Sequence, residues 1–169
     1  MRILITGSRK GIGRFLAEKF LQRGHVVFGC SRGESDLHHE FYQHYQCDVA
    51  EEASVISLIR SIGKSHGGID ILINNAGIAS MNHILSTPAN TLKNLMDTNF
   101  TGTVLFCREA AKLMMRKKTN GKIVNFSTVA SPLNLEGEAI YASSKAAVQK
   151  FSQVAAKEFA PFGITVNCI

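Results

Sequence analysis

The fold of this chain is decided by the stretch Ile3-Leu4-Ile5-Thr6-Gly7-Ser8-Arg9-Lys10-Gly11-Ile12-Gly13. A short apolar run leads into a glycine-rich loop, and the helical pattern Phe15–Leu21 follows at once. Amide N–H groups at a helix start lack partners and lie at the positive end of the helix dipole, so they attract a pyrophosphate. A side chain at Gly7, Gly11 or Gly13 would hold the phosphates or the neighbouring strand at a distance. The stretch therefore predicts a nucleotide-binding loop.

Strand and helix patterns alternate along the rest of the chain. The predicted strands are Arg2–Thr6, His25–Ser31, Tyr45–Asp48, Ile69–Asn74, Lys122–Ser127 and Thr165–Ile169. The predicted helices are Gly11–Arg23, Val55–His66, Thr91–Phe100 continuing to Lys117, and Tyr141–Phe159. Such alternation indicates an α/β fold, in which a parallel sheet lies between helices on both faces as a three-layer α/β/α arrangement. With 169 residues, 45% of them apolar, we expect a single domain over residues 1–169.

Bulk properties exclude several classes of protein. No apolar run reaches the length that crosses a membrane, and the first strand begins at Arg2, so we expect no membrane contact, no leader and a cytoplasmic location. The formal charge of +6 is dispersed, so nucleic acid is not an expected partner. No Cys-x-x-Cys pair occurs, and we expect reduced thiols rather than disulfides or zinc at Cys30, Cys47, Cys107 and Cys168.

The polar segment Gly33–Gln46 contains His38, His39 and His44. Three histidines can bind a metal, but no acidic or cysteine set accompanies them. We predict a solvated surface loop and no metal site.

A basic cluster, Arg116-Lys117-Lys118, closes the long predicted helix. Cations at that place complement the carbonyl end of a helix, which is the favoured interpretation. The second interpretation is a docking surface for an acidic carrier protein.

The end of the second predicted strand bears on the choice of cofactor. An acid at this tip would bind the hydroxyls of an adenosine ribose, whereas a basic residue accommodates a 2′-phosphate. Cys30 and Ser31 offer no acid, and Arg32 follows them, with Arg9 or Lys10 facing it from the glycine loop. This pattern favours NADP(H) over NAD(H).

The motif Tyr141-Ala-Ser-Ser-Lys145 places a phenol and an ammonium four residues apart, on one face of a helix. A nearby cation stabilises a phenolate, so Tyr141 is a candidate proton donor and acceptor near neutral pH.

Taken together, these motifs resemble those of the short-chain dehydrogenase/reductase family, and most of all its 3-oxoacyl-carrier-protein reductase type. The resemblance extends over all 169 residues. The matching motifs are Thr6–Gly13, Asp48-Val49, Asn74-Asn75-Ala76-Gly77, Asn99, Tyr141–Lys145 and Ile164-Thr165-Val166-Asn167.

The resemblance implies a Rossmann-type doubly wound sheet and NADPH-dependent reduction of a carbonyl, such as a 3-oxoacyl thioester or similar ketone, to an alcohol. Acyl carrier protein is then a candidate partner. Asp48 and Val49 would hold the adenine, while Asn74 would support the central strand. The implied cofactor-binding residues are Gly7, Ser8, Arg9, Lys10, Gly11, Ile12, Gly13, Arg32, Asp48, Val49, Asn75, Ala76, Gly77, Tyr141 and Lys145.

The resemblance also implies the catalytic roles. Tyr141 would give its proton to the carbonyl oxygen, Lys145 would bind the nicotinamide ribose, and Asn99 would hold a water of the proton relay. The family places a serine thirteen positions before the tyrosine, where this chain has Thr128. Thr128 supplies a hydroxyl too and is our assignment, with Ser127 as the alternative after a local shift.

The resemblance further implies a continuation beyond Ile169, with a Pro-Gly turn, a substrate-covering loop and a last strand. We therefore expect a piece of a longer reductase, and two interpretations stay open: an active reductase, or a catalytically weak NADP-binding remnant. A sugar-nucleotide epimerase of the extended family branch is disfavoured by the glycine spacing and by Asn74–Gly77.

Self-association is the last expectation. The family pairs two helices across a two-fold axis, which implies a homodimer or homotetramer. We expect surplus apolar surface on the corresponding helices from Phe100, Val104, Met114, Met115, Val148, Phe151 and Phe159.

Overall fold

The computed structural model describes every residue from Met1 to Ile169. Its strands are β1 (Arg2–Thr6), β2 (Val26–Ser31), β3 (Tyr42–Gln46), β4 (Ile71–Asn74), β5 (Lys122–Asn125) and β6 (Thr165–Cys168). All neighbouring strands pair in parallel, in the order β3-β2-β1-β4-β5-β6. This is the strand order of a Rossmann-type doubly wound sheet, so the predicted fold class is confirmed.

The helices account for most of the remaining chain. They are α1 (Gly11–Gln22), α2 (Glu52–Ser65), α3 (Ala89–Met96), α4 (Gly102–Lys117), α5 (Ala130–Leu133) and α6 (Ala139–Phe159), with 3₁₀ turns at Ile84–Ser86 and Ala160–Phe162. None of them combines the length and the apolarity that a membrane span requires.

The long helix expected from Thr91 to Lys117 is divided into three parts. A π-helical turn, Asp97–Thr101, separates α3 from α4. A π turn adds a residue to the helical repeat and changes the direction of the side chains that follow it, a feature common at functional sites. Within this turn Asn99 is fully buried.

The two faces of the sheet carry separate apolar cores. Because side chains alternate along a strand, Leu4 of β1 points to one face and Ile3 and Ile5 point to the other. The first face is covered by α2, α4 and α6, which contribute most of a cluster of 22 buried residues. The second face is covered by α1, which contributes Ala17 and Leu21 to a cluster of 6. Helices on both faces confirm the three-layer arrangement.

The segment Gly33–Gln46 differs from the expectation. Its last part is not a loop but the edge strand β3, which pairs with β2 from Val27–Tyr42 to Ser31–Gln46. The strand predicted at Tyr45–Asp48 is present but begins at Tyr42 and ends at Gln46, because an edge strand needs only one packed face and its first residues are too polar to give a strand pattern. His38 and His39 are exposed, while His44 is half-buried within β3. The structure contains no group of three or more metal-binding side chains.

The expected surplus of apolar helix surface is only partly present. Met114 and Val148 are fully buried within the protein, so their assignment to an exposed face was wrong. Phe100 and Phe151 pack edge to face with ring centroids 6.3 Å apart. Met115 and, besides the expected set, Val154 are exposed. Self-association stays a prediction.

The basic cluster lies at the end of the sheet opposite the glycine loop. Arg116 and Lys117 form the last turn of α4, and Lys118 ends the helix in a left-handed conformation with φ of 51°. The chain then enters β5 at its amino end, whereas the glycine loop follows the carboxyl end of β1. A helix of 16 residues is about 24 Å long. This position favours the interaction of the cations with the helix dipole over docking of a carrier at the site.

The start of β1 is fixed by a bidentate ion pair. Arg2 donates to both carboxylate oxygens of Asp70, from Nη2 at 2.6 Å and from Nε at 3.2 Å, and its amide donates at 2.7 Å. These hydrogen bonds lower the pKa of Asp70, against the opposing effect of burial. The pair ties β1 to the residue that precedes β4.

We predict that Asp70→Asn lowers the free energy of unfolding by about 1 kcal/mol at pH 7, a modest value because both side chains are partly solvated. A carboxylate with a lowered folded pKa stabilises the protein above its unfolded value, and this contribution fades as pH falls below about 4. Urea unfolding of both proteins at pH 7 and pH 3 measures the difference. Asp36→Asn, which removes the exposed partner of Arg14, is the control with the smaller effect. An Asp70→Asn loss that persists undiminished in acid would contradict the prediction.

Candidate functional site

A cleft of about 480 Å³ opens at the carboxyl edge of the sheet, beside the ends of β1 and β4. At this point the chain reverses the direction in which it adds strands, which is where ligands bind in open α/β sheets. All predicted cofactor-binding residues line it except Ser8, Gly13, Tyr141 and Lys145. The lining residues are Gly7, Arg9, Lys10, Gly11, Ile12, Ser31, Arg32, Gly33, Cys47, Asp48, Val49, Asn75, Ala76, Gly77, Ile78 and Thr98.

A group of hydrogen bonds joins the ends of β1 and β4; we call it the β1–β4 clasp. The Thr6 hydroxyl oxygen accepts from the amides of Asn75, at 3.1 Å, and Ala76, at 2.9 Å. The Asn75 side-chain amide donates to the carbonyl oxygens of Thr6, at 2.9 Å, and Gly7, at 3.2 Å. The two segments that form the floor of the cleft are therefore held together. Sequence reasoning quoted Thr6 without giving it this role.

The three glycines of the loop serve different purposes. A Cβ on Gly13 would lie 2.4 Å from the Gly7 oxygen, and a Cβ on Gly7 would lie 2.9 Å from the Ala76 Cα, so both positions are closed by the clasp. Gly11 meets no atom within 4 Å, but its φ of +60° favours glycine and its surroundings are open to the cleft. Of the two purposes that the sequence suggested, Gly7 and Gly13 thus allow close approach of the neighbouring segment, and Gly11 keeps space free for a ligand.

Helix α1 begins at Gly11 without a cap. Its N-cap residue Lys10 makes no side-chain hydrogen bond, and the first turn contains no acidic residue. The amides of residues 11–13 have no acceptor within the protein. Free donors at the positive end of the helix dipole, opening on a cleft, fit the pyrophosphate of a dinucleotide.

Three cations surround the outer part of the cleft. Arg9, Lys10 and Arg32 are exposed, and none of them forms an ion pair. The Arg9 guanidinium lies against Gly33, with Nη1 3.3 Å from where a Cβ would stand. This part of the cleft therefore suits a second anionic group.

The loop after β3 contributes the opposite wall. Asp48 accepts the Ala50 amide on Oδ1 at 3.0 Å, which orders the turn into α2. Val49 is buried against Gly102, where a Cβ would lie 2.9 Å from its methyl group. Both residues are thus presented to the cleft by α4 and the start of α2.

Ser8 lies outside the cleft. It is fully buried, and its hydroxyl is 3.2 Å from the Tyr42 hydroxyl beneath the sheet edge. Its direct contact with a cofactor stays a prediction, and its observed role is to anchor the glycine loop to β3.

Asn99 connects the cleft with the helix that bears Tyr141. Its side-chain oxygen accepts from the Ile78 N–H at 2.8 Å and its side-chain nitrogen donates to the Ile78 carbonyl oxygen at 2.9 Å, so it fixes the backbone on both sides of one residue of the cleft wall. Its second N–H donates to the Ser144 hydroxyl at 3.0 Å. The Ser144 hydroxyl in turn donates to the backbone carbonyl oxygen of Tyr141 at 2.7 Å. The water-holding role predicted for Asn99 stays a prediction beside this structural one.

Lys145 is a buried cation without a carboxylate partner. It is 5% exposed, and its ammonium donates to the Phe126 carbonyl oxygen at 2.8 Å. Burial lowers its pKa, and the nearby Cys168 acts in the opposite direction. Its Nζ lies 3.4 Å from where a Cβ of Gly77 would stand, which places the charge at the inner end of the cleft. Such buried, unpaired charge is characteristic of functional sites.

Tyr141 occupies the first turn of α6, which begins at Ala139 rather than at Tyr141. It is half-buried, and its hydroxyl makes no hydrogen bond within the protein. A hydrogen bond of 3.1 Å from the Ser131 hydroxyl to the Ala142 oxygen ties α5 to this turn. The backbone around Tyr141 is therefore fixed, while its phenolic hydroxyl remains free of hydrogen bonds within the protein.

Ser127 and Thr128 follow the end of β5, which stops at Asn125 instead of Ser127. Both are half-buried. The Thr128 hydroxyl oxygen accepts the Ala130 amide at 3.2 Å, which leaves its own proton free to donate. The Ser127 amide donates to the Ile169 oxygen at 2.6 Å. The choice of Thr128 stays a prediction.

Behind the site lies a buried polar network of which sequence reasoning singled out only Asn74, as a support of the central strand. Asn74 donates to Asn125 at 2.8 Å, and Asn125 donates to Ser152 at 2.9 Å, so β4, β5 and α6 are linked across the core. Cys107 lies within the same network, and burial raises its pKa to about 12. The available signal was polar residues at positions where a buried strand or helix would otherwise be apolar.

Comparison with known proteins gives a consistent result. The family described as short chain dehydrogenase matches residues 1–169. A 3-oxoacyl-(acyl-carrier-protein) reductase of Vibrio cholerae is 32% identical, over 98% of this chain and 70% of its own length. A 3-ketodihydrosphingosine reductase of Bacteroides thetaiotaomicron is 34% identical, over 97% of this chain but 60% of its own length.

Solved structures resemble the fold closely. A short-chain dehydrogenase from Streptomyces avermitilis has a TM-score of 0.93 at 28% identity, over 99% of this chain and 63% of its own. ElxO with NADP bound has a TM-score of 0.92 at 33% identity, over 99% of this chain and 71% of its own. A 4-hydroxyisoleucine dehydrogenase complexed with NADH has a TM-score of 0.92 at 28% identity, over 99% of this chain and 73% of its own. On the match of its whole sequence and of its fold, this chain belongs to the short-chain dehydrogenase family.

Proposed function

We propose that this chain is the cofactor-binding and catalytic part of an NADPH-dependent reductase that converts a carbonyl to an alcohol. The observation that carries the proposal is the Lys145 ammonium, which is buried without a counter-charge at the inner end of the cleft, one helical turn from a phenol whose hydroxyl is free. Membership of an oxidoreductase family supports the same reaction class.

The proposed cofactor is NADP(H). The unpaired amides of residues 11–13 would hold the pyrophosphate, and Asp48 and Val49 would hold the adenine. The three unpaired cations Arg9, Lys10 and Arg32 support a 2′-phosphate at the outer end. The similar proteins do not indicate which dinucleotide this chain uses, since one was solved with NADP and another with NADH. The choice therefore depends on these cations.

The side chains at the inner end of the cleft have different roles in the proposed proton transfer. When bound, the reduced dinucleotide supplies the hydride. Tyr141 donates the phenolic proton to the carbonyl oxygen, and the positive charge of Lys145 stabilises the phenolate that remains. The Thr128 hydroxyl, whose proton is free, donates a hydrogen bond to the same carbonyl oxygen.

The proposed substrate is a 3-oxoacyl thioester or a similar ketone, and acyl carrier protein is a candidate carrier. The support is the likeness to a 3-oxoacyl-(acyl-carrier-protein) reductase. Since Arg116, Lys117 and Lys118 lie at the far end of the sheet, a carrier would dock elsewhere. The remaining alternative is a protein that binds NADP(H) but turns over slowly.

We predict that Arg32→Ala weakens NADPH binding roughly tenfold or more, because it removes a charge-assisted contact to the 2′-phosphate, and leaves NADH binding unchanged. Fluorescence titration with each nucleotide measures this. Arg60→Ala, which removes another exposed arginine from α2, is the matched control and should change neither affinity. Equal affinity of the wild-type protein for NADPH and NADH would refute the cofactor assignment.

We predict that Tyr141→Phe slows oxidation of NADPH by an acetoacetyl thioester by about 10² to 10⁴-fold, since the proton donor is lost, while NADPH affinity changes less than about twofold. Tyr45→Phe removes a buried hydroxyl without a hydrogen-bond partner and should leave the rate unchanged. A wild-type protein that binds NADPH but fails to oxidise it would favour the slow-turnover alternative.

Thr128→Ala should reduce kcat at least about tenfold by removing the donor to the carbonyl oxygen, whereas Ser127→Ala should have little effect. Steady-state kinetics of the two variants, with NADPH affinity measured separately, decides between the hydroxyls. The reverse order of effects would transfer the role to Ser127.

A further inference from the structure

Tyr42 and His44 lie on one face of the edge strand β3, next to the outer part of the cleft. Their side chains share a face because they are two positions apart along a strand, with only Gln43 between them. Both are half-buried, and their rings lie 6.1 Å apart. Nothing in the proposed chemistry uses either of them.

A chain of hydrogen bonds passes through these two side chains; we call it the β3 relay. The Ser8 hydroxyl is 3.2 Å from the Tyr42 hydroxyl, which is 3.0 Å from His44 Nδ1. On the other side of the ring, His44 Nε2 is 3.0 Å from the Ser31 hydroxyl and 3.0 Å from the Gly33 oxygen. The relay thus connects the glycine loop with the segment that follows β2.

The partners fix the direction of the relay for a neutral imidazole. The Gly33 oxygen can only accept, and it also receives the Ser31 hydroxyl at 2.7 Å, so His44 donates from Nε2. Nδ1 then accepts from Tyr42, and the Tyr42 oxygen accepts from Ser8. Every hydroxyl and both ring nitrogens are satisfied, so each side chain holds the next in one orientation.

The backbone of β2 makes room for the relay at Gly29. A Cβ there would lie 2.1 Å from the Tyr42 hydroxyl and 2.3 Å from the Ser8 hydroxyl. No other residue type fits at this position without displacing both hydroxyls. The relay is therefore built into two strands and not only into their side chains.

We propose that Tyr42 and His44 are positioning residues that favour a 2′-phosphorylated nucleotide by holding the Ser31–Gly33 segment in place. The inference rests on the proposed use of NADP(H). Ser31, Arg32 and Gly33 all line the cleft, and the Arg9 guanidinium lies against Gly33. A segment fixed at Gly33 presents Arg32 and Arg9 to one anion, whereas a loose segment lets the two cations move apart.

His44 acts directly on one end of the nucleotide only, since the glycine loop joins the relay through Ser8 and Tyr42 and not through His44. The adenine wall formed by Asp48 and Val49 and the free amides of α1 do not depend on the Gly33 oxygen. Loss of His44 should therefore weaken the contact with a 2′-phosphate and spare the contacts with the rest of the adenosine.

The test compares adenosine 2′,5′-bisphosphate with adenosine 5′-monophosphate by calorimetry, with no need for turnover. The wild-type protein should bind the bisphosphate more tightly. In His44→Ala that preference should fall about five- to tenfold, the effect of losing a hydrogen bond of the usual strength, while affinity for the monophosphate is unchanged.

Two further variants separate positioning from damage to the fold. His44→Gln can donate to the Gly33 oxygen from its own amide and should restore at least half of the lost preference on a logarithmic scale. Gln43→Ala changes the exposed residue between Tyr42 and His44, whose side chain hydrogen-bonds to His66 outside the relay, and should leave the preference unchanged. If His44→Ala does not fold, Tyr42→Phe keeps the ring and removes the hydroxyl, and the preference should fall in the same direction.

An equal loss of both affinities in His44→Ala, or a change no larger than that of Gln43→Ala, would overturn the inference. A wild-type protein with equal affinity for the two nucleotides would instead overturn the cofactor assignment, and with it this inference. The wild-type measurement thus distinguishes the two failures.

Discussion

The site depends first on the β1–β4 clasp. Where the strand order reverses, two parallel strands diverge into separate loops, and nothing in the sheet ladder itself holds those loops together. The Thr6 hydroxyl and the Asn75 amide replace the ladder at this point with four hydrogen bonds. Their closeness excludes a side chain at Gly7 and Gly13 and directs the uncapped start of α1 toward the cleft.

The positive charges at the two ends of the cleft differ in their exposure to solvent. At the outer end of the cleft, Arg9 and Arg32 remain in water, where an unpaired cation costs little and can be recruited by an anion. At the inner end, Lys145 is held in a dry environment by a single carbonyl oxygen. Burial of an ammonium without a counter-ion is unfavourable for folding, and in the proposed mechanism the same charge stabilises the phenolate of Tyr141.

Polar side chains hold the helix that bears Tyr141 and Lys145 to the loops that line the cleft. Asn99 reaches both the Ile78 peptide and Ser144 because a π turn directs it inward. The network of Asn74, Asn125 and Ser152 performs the same task one layer deeper. A hydrogen bond fixes direction as well as distance, which apolar packing alone does not, and the site therefore rests on amides within an otherwise apolar core.

The sequence by itself determined the sheet, the glycine loop and the placement of Tyr141 and Lys145 one turn apart on a helix, because each depends on residues that are close along the chain and follow a local period. Only the tertiary structure decided that β3 begins at Tyr42, before the predicted strand, that a π turn separates α3 from α4, and that Ser8 faces away from the cleft. It also revealed the partners of Thr6, Asn99 and His44. Some polar contacts join segments that are 20 to 70 positions apart, such as Ser8 with Tyr42 or Thr6 with Asn75. These contacts leave no periodic signal in the sequence, because a polar residue at either position is equally consistent with exposure to solvent.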